Sequence, residues 1–300
     1  MSPFLERGQL IEEGQQEPNL NGVGPKPQEE SKEQENIRPS PPAEWAADFE
    51  RIHDLVCVGF GPASLAIVVA MADALDSGSI VAGRKPDICC MERQAEFAWH
   101  AGMLLPGTKM QISFIKDLAT LRNPRSKFTF LNYLRCHNRL VQFSNLGTFL
   151  PSRTEFQDYL GWCANHFKDS VEYGREVEEI LPLHMDQNSK VKAFTVRCRD
   201  IRTGKVSRHA ARNVVIAIGG LPHVPSFAPQ NHSRVIHSSQ YASKLPEILP
   251  EREKPYHFAV VGGGQSAAEI FNDLHTRYPN AQTTLILRDT ALRPSDDSPL

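Results

Sequence analysis

Unbroken apolar runs, more than alternating ones, set the rhythm of this chain. After Asp54, the run to Gly59 is continuously apolar, as expected of a parallel strand buried on both faces. Pro62 to Leu75 then reads as a helix, with Pro62 tolerated in its first turn. Ile88 to Met91 is the next strand. Phe128 to Cys136 and Glu155 to Phe167 carry apolar residues at helical spacing. Val191 to Cys198 and Lys205 to Arg212 predict an antiparallel excursion turning at Thr203-Gly204. Asn213 to Ile218 predicts a strongly apolar strand that ends in Gly219-Gly220. Phe258 to Val261, Gln265 to Tyr278 and Thr283 to Leu287 predict a second strand–helix–strand unit.

Both strand-to-helix junctions are glycine-rich. The first is Val58-Gly59-Phe60-Gly61-Pro62-Ala63-Ser64 and the second is Val261-Gly262-Gly263-Gly264-Gln265-Ser266-Ala267. In such a turn one glycine permits the tight bend and the next lets the backbone approach a pyrophosphate. A third small residue lets helix and strand pack closely. The helix N-terminus presents unpaired N–H groups to the phosphates. Gly59, Gly61 and Ser64 fill these places first, and Gly262, Gly264 and Ala267 fill them second. A lone match is as readily a tight loop; two matches predict two dinucleotides.

The residue after the next strand distinguishes the two sites. Glu92 follows Ile88 to Met91, and a carboxylate there accepts hydrogen bonds from a ribose diol. Arg288 follows Leu285-Ile286-Leu287, and a guanidinium there suits a 2′-phosphate. The expected fold is therefore α/β, a two-dinucleotide-binding Rossmann-like flavoprotein, with FAD first and NADPH second. Gly59 to Glu92 is longer than the usual ~20 residues, and the polar stretch Asp76 to Lys85 absorbs the excess.

Composition narrows the picture. Net charge is −2 and hydrophobic content 40%, which points to neither a nucleic-acid partner nor an anionic membrane. No apolar run approaches the ~18 residues of a membrane span. Residues 1–48 read as a disordered tail, rich in Glu, Gln, Pro and Asn, with order starting near Ala46. The first 45 residues hold nine acidic and four basic side chains, which leaves a mildly basic body. The six cysteines, Cys57, Cys89, Cys90, Cys136, Cys163 and Cys198, form no C-x-x-C or C-x4-C pair. That spacing argues against zinc and dithiol chemistry, so no metal is expected, and a reducing, cytoplasmic compartment fits. Without a redox cysteine pair, a reduced flavin would react with oxygen instead.

The run Phe97-Ala98-Trp99-His100-Ala101-Gly102-Met103-Leu104-Leu105-Pro106-Gly107, continued by Lys109 to Leu118, closely resembles the L-ornithine N5-monooxygenases of fungal siderophore synthesis. So do Leu146 to Arg153, Gly264 to Glu269 and Arg293 to Pro299. His237-Ser238-Ser239-Gln240-Tyr241 is similar to the H-x-x-x-[YFW] part of the flavin monooxygenase fingerprint. Ser233 stands where its preceding glycine would be, as in the N-hydroxylating branch. The resemblance runs from about Asp54 to Leu300.

That resemblance implies NADPH-dependent N-hydroxylation of L-ornithine by molecular oxygen through a C4a-hydroperoxyflavin, the first step of hydroxamate siderophore biosynthesis. It implies FAD contacts at Gly59, Gly61, Pro62, Ala63, Ser64, Glu92, Arg93 and Gln94. Trp99, His100 and Gln111 would lie near the isoalloxazine, and Val177 at the adenine edge. NADPH would rest on Gly262, Gly263, Gly264, Gln265, Ser266 and Arg288. Lys116 would bind substrate, and Gln111, Lys116 and Arg153 would serve catalysis. A homo-oligomer is implied for the full-length enzyme.

Plainer readings stand beside these. Trp99 and Val177 are also ordinary core residues, and His100 an ordinary hydrogen-bonder. Lys116 also suits a solvated face, and Arg288 a pair with Asp289 or Glu269. The expected organisation is a FAD-binding domain over 49–250 and an incomplete NADPH-binding domain over 251–300, the N-terminal part of a longer enzyme. A non-catalytic remnant, or an enzyme acting on lysine or another amine, are the alternatives.

Overall fold

The computed structural model describes residues 51–79, 85–185, 190–229 and 232–292, with only the backbone of 184 and 185. All belong to one compact unit, Ser40–Leu300. The expected tail, the start of order near Ala46, part of the Asp76 to Lys85 stretch and the run Arg293 to Pro299 lie outside the described residues.

Strand β1 (Ile52–Val58) leads through the first glycine turn into α1 (Pro62–Asp76), and β2 (Ile88–Glu92) follows. Three helices come next: α2 (Phe130–Cys136), α3 (Leu140–Asn145) and α4 (Arg153–Asn165). Then come β3 (Val171–Tyr173), β4 (Arg175–Met185), β5 (Val191–Asp200) and β6 (Val206–Ile216). Helix α5 (Tyr241–Ile248) precedes the second unit, β7 (His257–Val261), α6 (Gln265–Arg277) and β8 (Gln282–Ile286). The first six strands form one sheet in the order β3-β2-β1-β6-β5-β4, and β7 and β8 form a separate parallel pair.

Strands β1, β2 and β3 are parallel to one another, and β6 joins the other side of β1 in parallel, pairing Val58 with Ile216. The continuous apolar run of β1 is thus explained: Cys57 packs toward α1 and α4, while Val56 and Val58 pack on the opposite face. The first face carries the larger core, in which Phe128, Phe130, Tyr133, Phe143, Phe156 and Tyr159 interlock. Ring centroids of Phe130 and Tyr159 stand 5.4 Å apart, edge to face. Thr129 caps α2 by accepting from the Asn132 N–H, and Ser152 caps α4 by accepting from the Glu155 N–H.

One expectation changes in detail, and four elements were not expected from the sequence. Lys205 to Arg212 and Asn213 to Ile218 are one strand, β6, which pairs antiparallel with β5 along its first half and parallel with β1 along its second. No breaker separates the halves, so the strand runs from one neighbour to the other. Strand β3 is too short for a pattern, and in β4 the charged start and Pro182 interrupt the apolar residues. β3 is three residues long, and β4 is an edge strand with Glu176, Glu178, Glu179 and Pro182, the composition that protects edges. Helix α5 contains Pro246, which reads as a breaker in sequence. Helix α3 has only six residues.

Candidate dinucleotide and substrate site

At the first turn, Gly59 has φ +89°, a conformation that favours glycine, and a Cβ there would sit 2.5 Å from the Ala217 carbonyl oxygen. The Ala217 N–H donates to the Val58 oxygen, so the end of β6 closes against this turn. Gly61 caps α1 in an extended conformation with Pro62 in the first helical turn, and the Ser64 hydroxyl donates to the Gly59 oxygen. Ser64, the departure from Gly or Ala, is therefore fully buried and pinned beneath the turn.

Glu92 ends β2 beside this turn and is 9% exposed. Its Oε2 accepts the Phe60 N–H at 2.6 Å and its Oε1 accepts the Gln94 N–H at 2.8 Å. A carboxylate offers about four lone-pair sites, so each oxygen keeps capacity for a ribose hydroxyl. These residues fit FAD: a carboxylate oriented by two backbone donors, a turn with no room for a side chain at Gly59 and open space at Gly61, and an open helix N-terminus.

The rest of the predicted FAD set disperses around that turn. Arg93 is exposed, 3.8 Å from Glu176. The Gln94 carbonyl accepts from Gly174 N–H. Val177 packs into the core beneath β4 and β5, opposite Cys198 on the edge strand. Trp99 packs against Phe156 at 5.8 Å and His100 at 5.1 Å, and its backbone N–H donates to the Gln157 side-chain oxygen. His100 has φ +48°, and loss of water around its ring, then the Arg153 charge, lowers its pKa.

Lys116 ends a 3-10 turn, Phe114–Lys116, capped by the Ser113 hydroxyl. Both Lys116 and Gln111 are exposed. The turn beneath Lys116 is stiff. Asp117 accepts from the backbone N–H groups of Ala119, Thr120 and Phe130, and the buried Tyr159 hydroxyl accepts from Leu118 N–H. Burial raises the Tyr159 pKa, keeping it a neutral donor to the Phe128 carbonyl.

In the second unit, Gly262 has φ +145°, its N–H donates to Ile286 O, and Gly264 caps α6. Gly263 and Ser266 lie within this turn and first helical turn. Arg288, just beyond β8, is exposed and makes no ion pair with a described residue, so neither Asp289 nor Glu269 claims it by one. Glu269 instead receives Arg153: Nη1 reaches Oε2 at 2.6 Å and Nη2 reaches Oε1 at 2.9 Å. Gln265 donates to the same Oε1 at 2.7 Å. The pair is mostly buried, 16% and 14% exposed, and ties α4 to the helix that carries the second turn.

The match to the model of the L-lysine 6-monooxygenase/L-ornithine 5-monooxygenase family spans residues 51–300. The chain belongs to that family. It is 57% identical over 255 residues to the L-ornithine N(5)-monooxygenase of Emericella nidulans, covering 83% of this chain and 51% of that protein. Among solved structures it resembles the ornithine hydroxylase of Pseudomonas aeruginosa, with a TM-score of 0.74 and 41% identity over 83% of this chain and 58% of the other. It also resembles the ornithine N-hydroxylase of Kutzneria sp. 744 in complex with reduced FAD, NADP+ and L-ornithine, with a TM-score of 0.73 and 37% identity over 83% and 56%. The chain spans about half the length of the curated relatives it matches.

Within this family scaffold, the sequence reading missed the residues that hold the site's parts together. Gly102 is one: a Cβ there would lie 2.1 Å from the Ser239 oxygen, so only glycine lets the His100 loop meet the Ser238–Gln240 turn. Met103 and Leu105 beside it pack into the core of the second unit with Tyr241 and Leu274. The His237 to Tyr241 motif is part of the same seam. His237 Nδ1 accepts from Ser239 N–H, and Tyr241 donates to Asp273 on α6 at 2.6 Å. Asp117 and Glu269 stand inside stretches quoted for the resemblance, but their partners are distant in sequence.

Proposed function

We propose that this chain supplies the FAD- and NADPH-binding parts of an enzyme that N-hydroxylates L-ornithine to N5-hydroxy-L-ornithine with molecular oxygen, opening hydroxamate siderophore biosynthesis. One observation carries the reading: in a member of this family, two glycine turns are followed by side chains of opposite charge, Glu92 and Arg288. The carboxylate suits an unphosphorylated ribose, and the guanidinium a 2′-phosphate.

Residues 49–250 form the FAD-binding part in this reading, and 251–300 begin the NADPH-binding part. Gly59, Gly61, Pro62, Ala63 and Ser64 receive the FAD pyrophosphate, and Glu92 its ribose. Arg93, Gln94 and the Val177 backbone border the adenosine, and Trp99, His100 and Gln111 the ring system. Gly262, Gly263, Gly264, Gln265, Ser266 and Arg288 receive NADPH. FAD bound there would supply the redox chemistry, hydride acceptance from NADPH and reaction with oxygen.

The chain's own residues bind and orient. Lys116, an ammonium on a stiff turn, pairs with the substrate carboxylate. His100, whose pKa desolvation and then the Arg153 charge lower, stands beside Trp99 where the ring system would lie. Arg153 and Glu269 hold the two nucleotide turns in register. A cytoplasmic setting and a homo-oligomeric full-length enzyme belong to the same reading.

Purification of the chain tests it. A yellow protein with one equivalent of FAD that forms N5-hydroxyornithine with NADPH is the expected result. A folded but colourless protein would remove the FAD assignment and favour a non-catalytic remnant. The family's description also names lysine, so faster hydroxylation of lysine than of ornithine would overturn the substrate.

A further inference from the structure

The glycine turns sit at the carboxyl ends of β1 and β2, where open α/β sheets bind ligands. A different set of chemical groups gathers at the opposite ends of the same strands. His53 on β1, Cys89 on β2 and His209 on β6 each bring a potential ligand atom within 4.8 Å of the other two. Cys89 is 5% exposed and the two histidines are half-buried. The imidazole rings lie 6.0 Å apart, 25° from parallel.

We propose that His53, Cys89 and His209 form a binding site for one thiophilic divalent cation, zinc above all. Two imidazoles and a thiolate are a donor set that zinc and copper favour and magnesium and calcium do not. Tetrahedral zinc, with bonds of ~2.0–2.1 Å to nitrogen and ~2.3 Å to sulfur, needs donors roughly 3.3–3.7 Å apart. The observed spread exceeds this by about an ångström, so the three side chains must draw together to take the ion.

Three further observations point to an ion. His53 Nδ1 is buried and 3.1 Å from Asp87 Oδ2, in a carboxylate that Arg51 also binds through both oxygens. The Cys89 thiol reaches Glu172 Oε1 at 3.7 Å, and the other Glu172 oxygen is held by Arg175 at 3.1 Å. Asp87 thus stands beside the His53 imidazole, where a carboxylate is the usual outer support of a histidine-bound metal, and Glu172 stands beside Cys89 within reach of the same ion. Two of the three donors, His53 and Cys89, also line a cleft with Arg51, Asp87, Asp169 and Glu172, which provides entry and room for a fourth ligand. Metal binding displaces the Cys89 proton to solvent and leaves Glu172 Oε1, or a water from the cleft, as the fourth donor. The ion would staple three adjacent strands, away from the cofactors.

Cobalt tests the assignment on the reduced, chelator-treated full chain. The expected result is one equivalent of Co2+ with a sulfur-to-metal charge-transfer band and tetrahedral visible bands, both reversed by Zn2+ and not by Mg2+. Cys89→Ser abolishes the charge-transfer band, whereas Cys136→Ser, which removes the exposed thiol, leaves it intact. His53→Gln and His209→Gln each weaken Co2+ binding at least tenfold. A band that survives Cys89→Ser, or no band in the folded wild type, overturns the site. Should Cys89→Ser fail to fold, X-ray absorption of the zinc-loaded wild type decides: one sulfur and two imidazoles support the site, and an all-oxygen shell overturns it.

Discussion

The two glycine turns share a local plan and differ in how much of the surrounding structure fixes them. The first is closed in by its neighbours. β6 lies against Gly59, Glu92 is buried and already holds two backbone N–H groups, and six strands surround the junction. The second is open. Gly262 has nothing nearer to a would-be Cβ than the Ala267 side chain at 3.4 Å, Arg288 is exposed, and its sheet has two strands among the described residues. Val261 and Ile286, on the face away from α6, are 52% and 48% exposed. A pre-set carboxylate suits a cofactor that stays bound. An exposed guanidinium suits a nucleotide that must come and go. The second unit is steadied by side chains reaching across from the first, through Arg153–Glu269 and Tyr241–Asp273.

The largest test of this contrast is Gly59→Ala set against Gly262→Ala. At Gly59 the backbone strain is joined by collision with a carbonyl oxygen. We expect about 3 kcal/mol or more of lost stability there and about 1–2 kcal/mol at Gly262. Equal losses in denaturant unfolding would erase the difference between a closed and an open turn. Next, Arg153→Ala should cost about 3 kcal/mol by stranding a mostly buried carboxylate, and weaken NADP+ binding more than FAD binding. Equal weakening of both in fluorescence titrations would show that the pair does not serve the second turn.

Glu92→Gln should weaken FAD by about 2 kcal/mol, because two backbone donors and the ribose lose a charged acceptor. Retention of FAD through purification would contradict the ribose role. Arg288→Ala should discriminate between cofactors, weakening NADP+ relative to NAD+ by on the order of 2 kcal/mol; parallel losses would detach Arg288 from the 2′-phosphate. The smallest effect concerns pH. His100 binds its proton less readily folded than unfolded, because of desolvation and the Arg153 charge. Stability should therefore fall as pH drops from about 6.5, the ordinary histidine value, toward the lower folded value. Arg153→Gln should narrow that window, which unfolding midpoints across pH 5–7 would reveal.

Much of this fold is legible in the residue pattern. β1, α1, β2, α4, β7, α6 and β8 follow from apolar runs and helical spacing, to within two residues or so at most ends. β3, β4 and α5 do not, because a three-residue strand, a charged edge strand interrupted by Pro182 and a proline-bearing helix are too short or too broken to show such patterns. The glycine turns and the side chains that follow them were equally readable. Local sequence dictates local backbone, and a residue's place after a strand is a local fact.

What the tertiary structure alone decided is which side chains meet across long separations. Arg153 reads in sequence as a residue near the active site, and the fold commits it to Glu269. Gly102 reads as one glycine among many, and the fold sets it against the Ser239 carbonyl. Cysteine spacing argues against a metal, yet three strands bring His53, Cys89 and His209 together. Spacing detects only ligands that share a turn or a hairpin. A parallel sheet joins strands separated by long crossovers, so contacts between its strands are invisible until the register is formed.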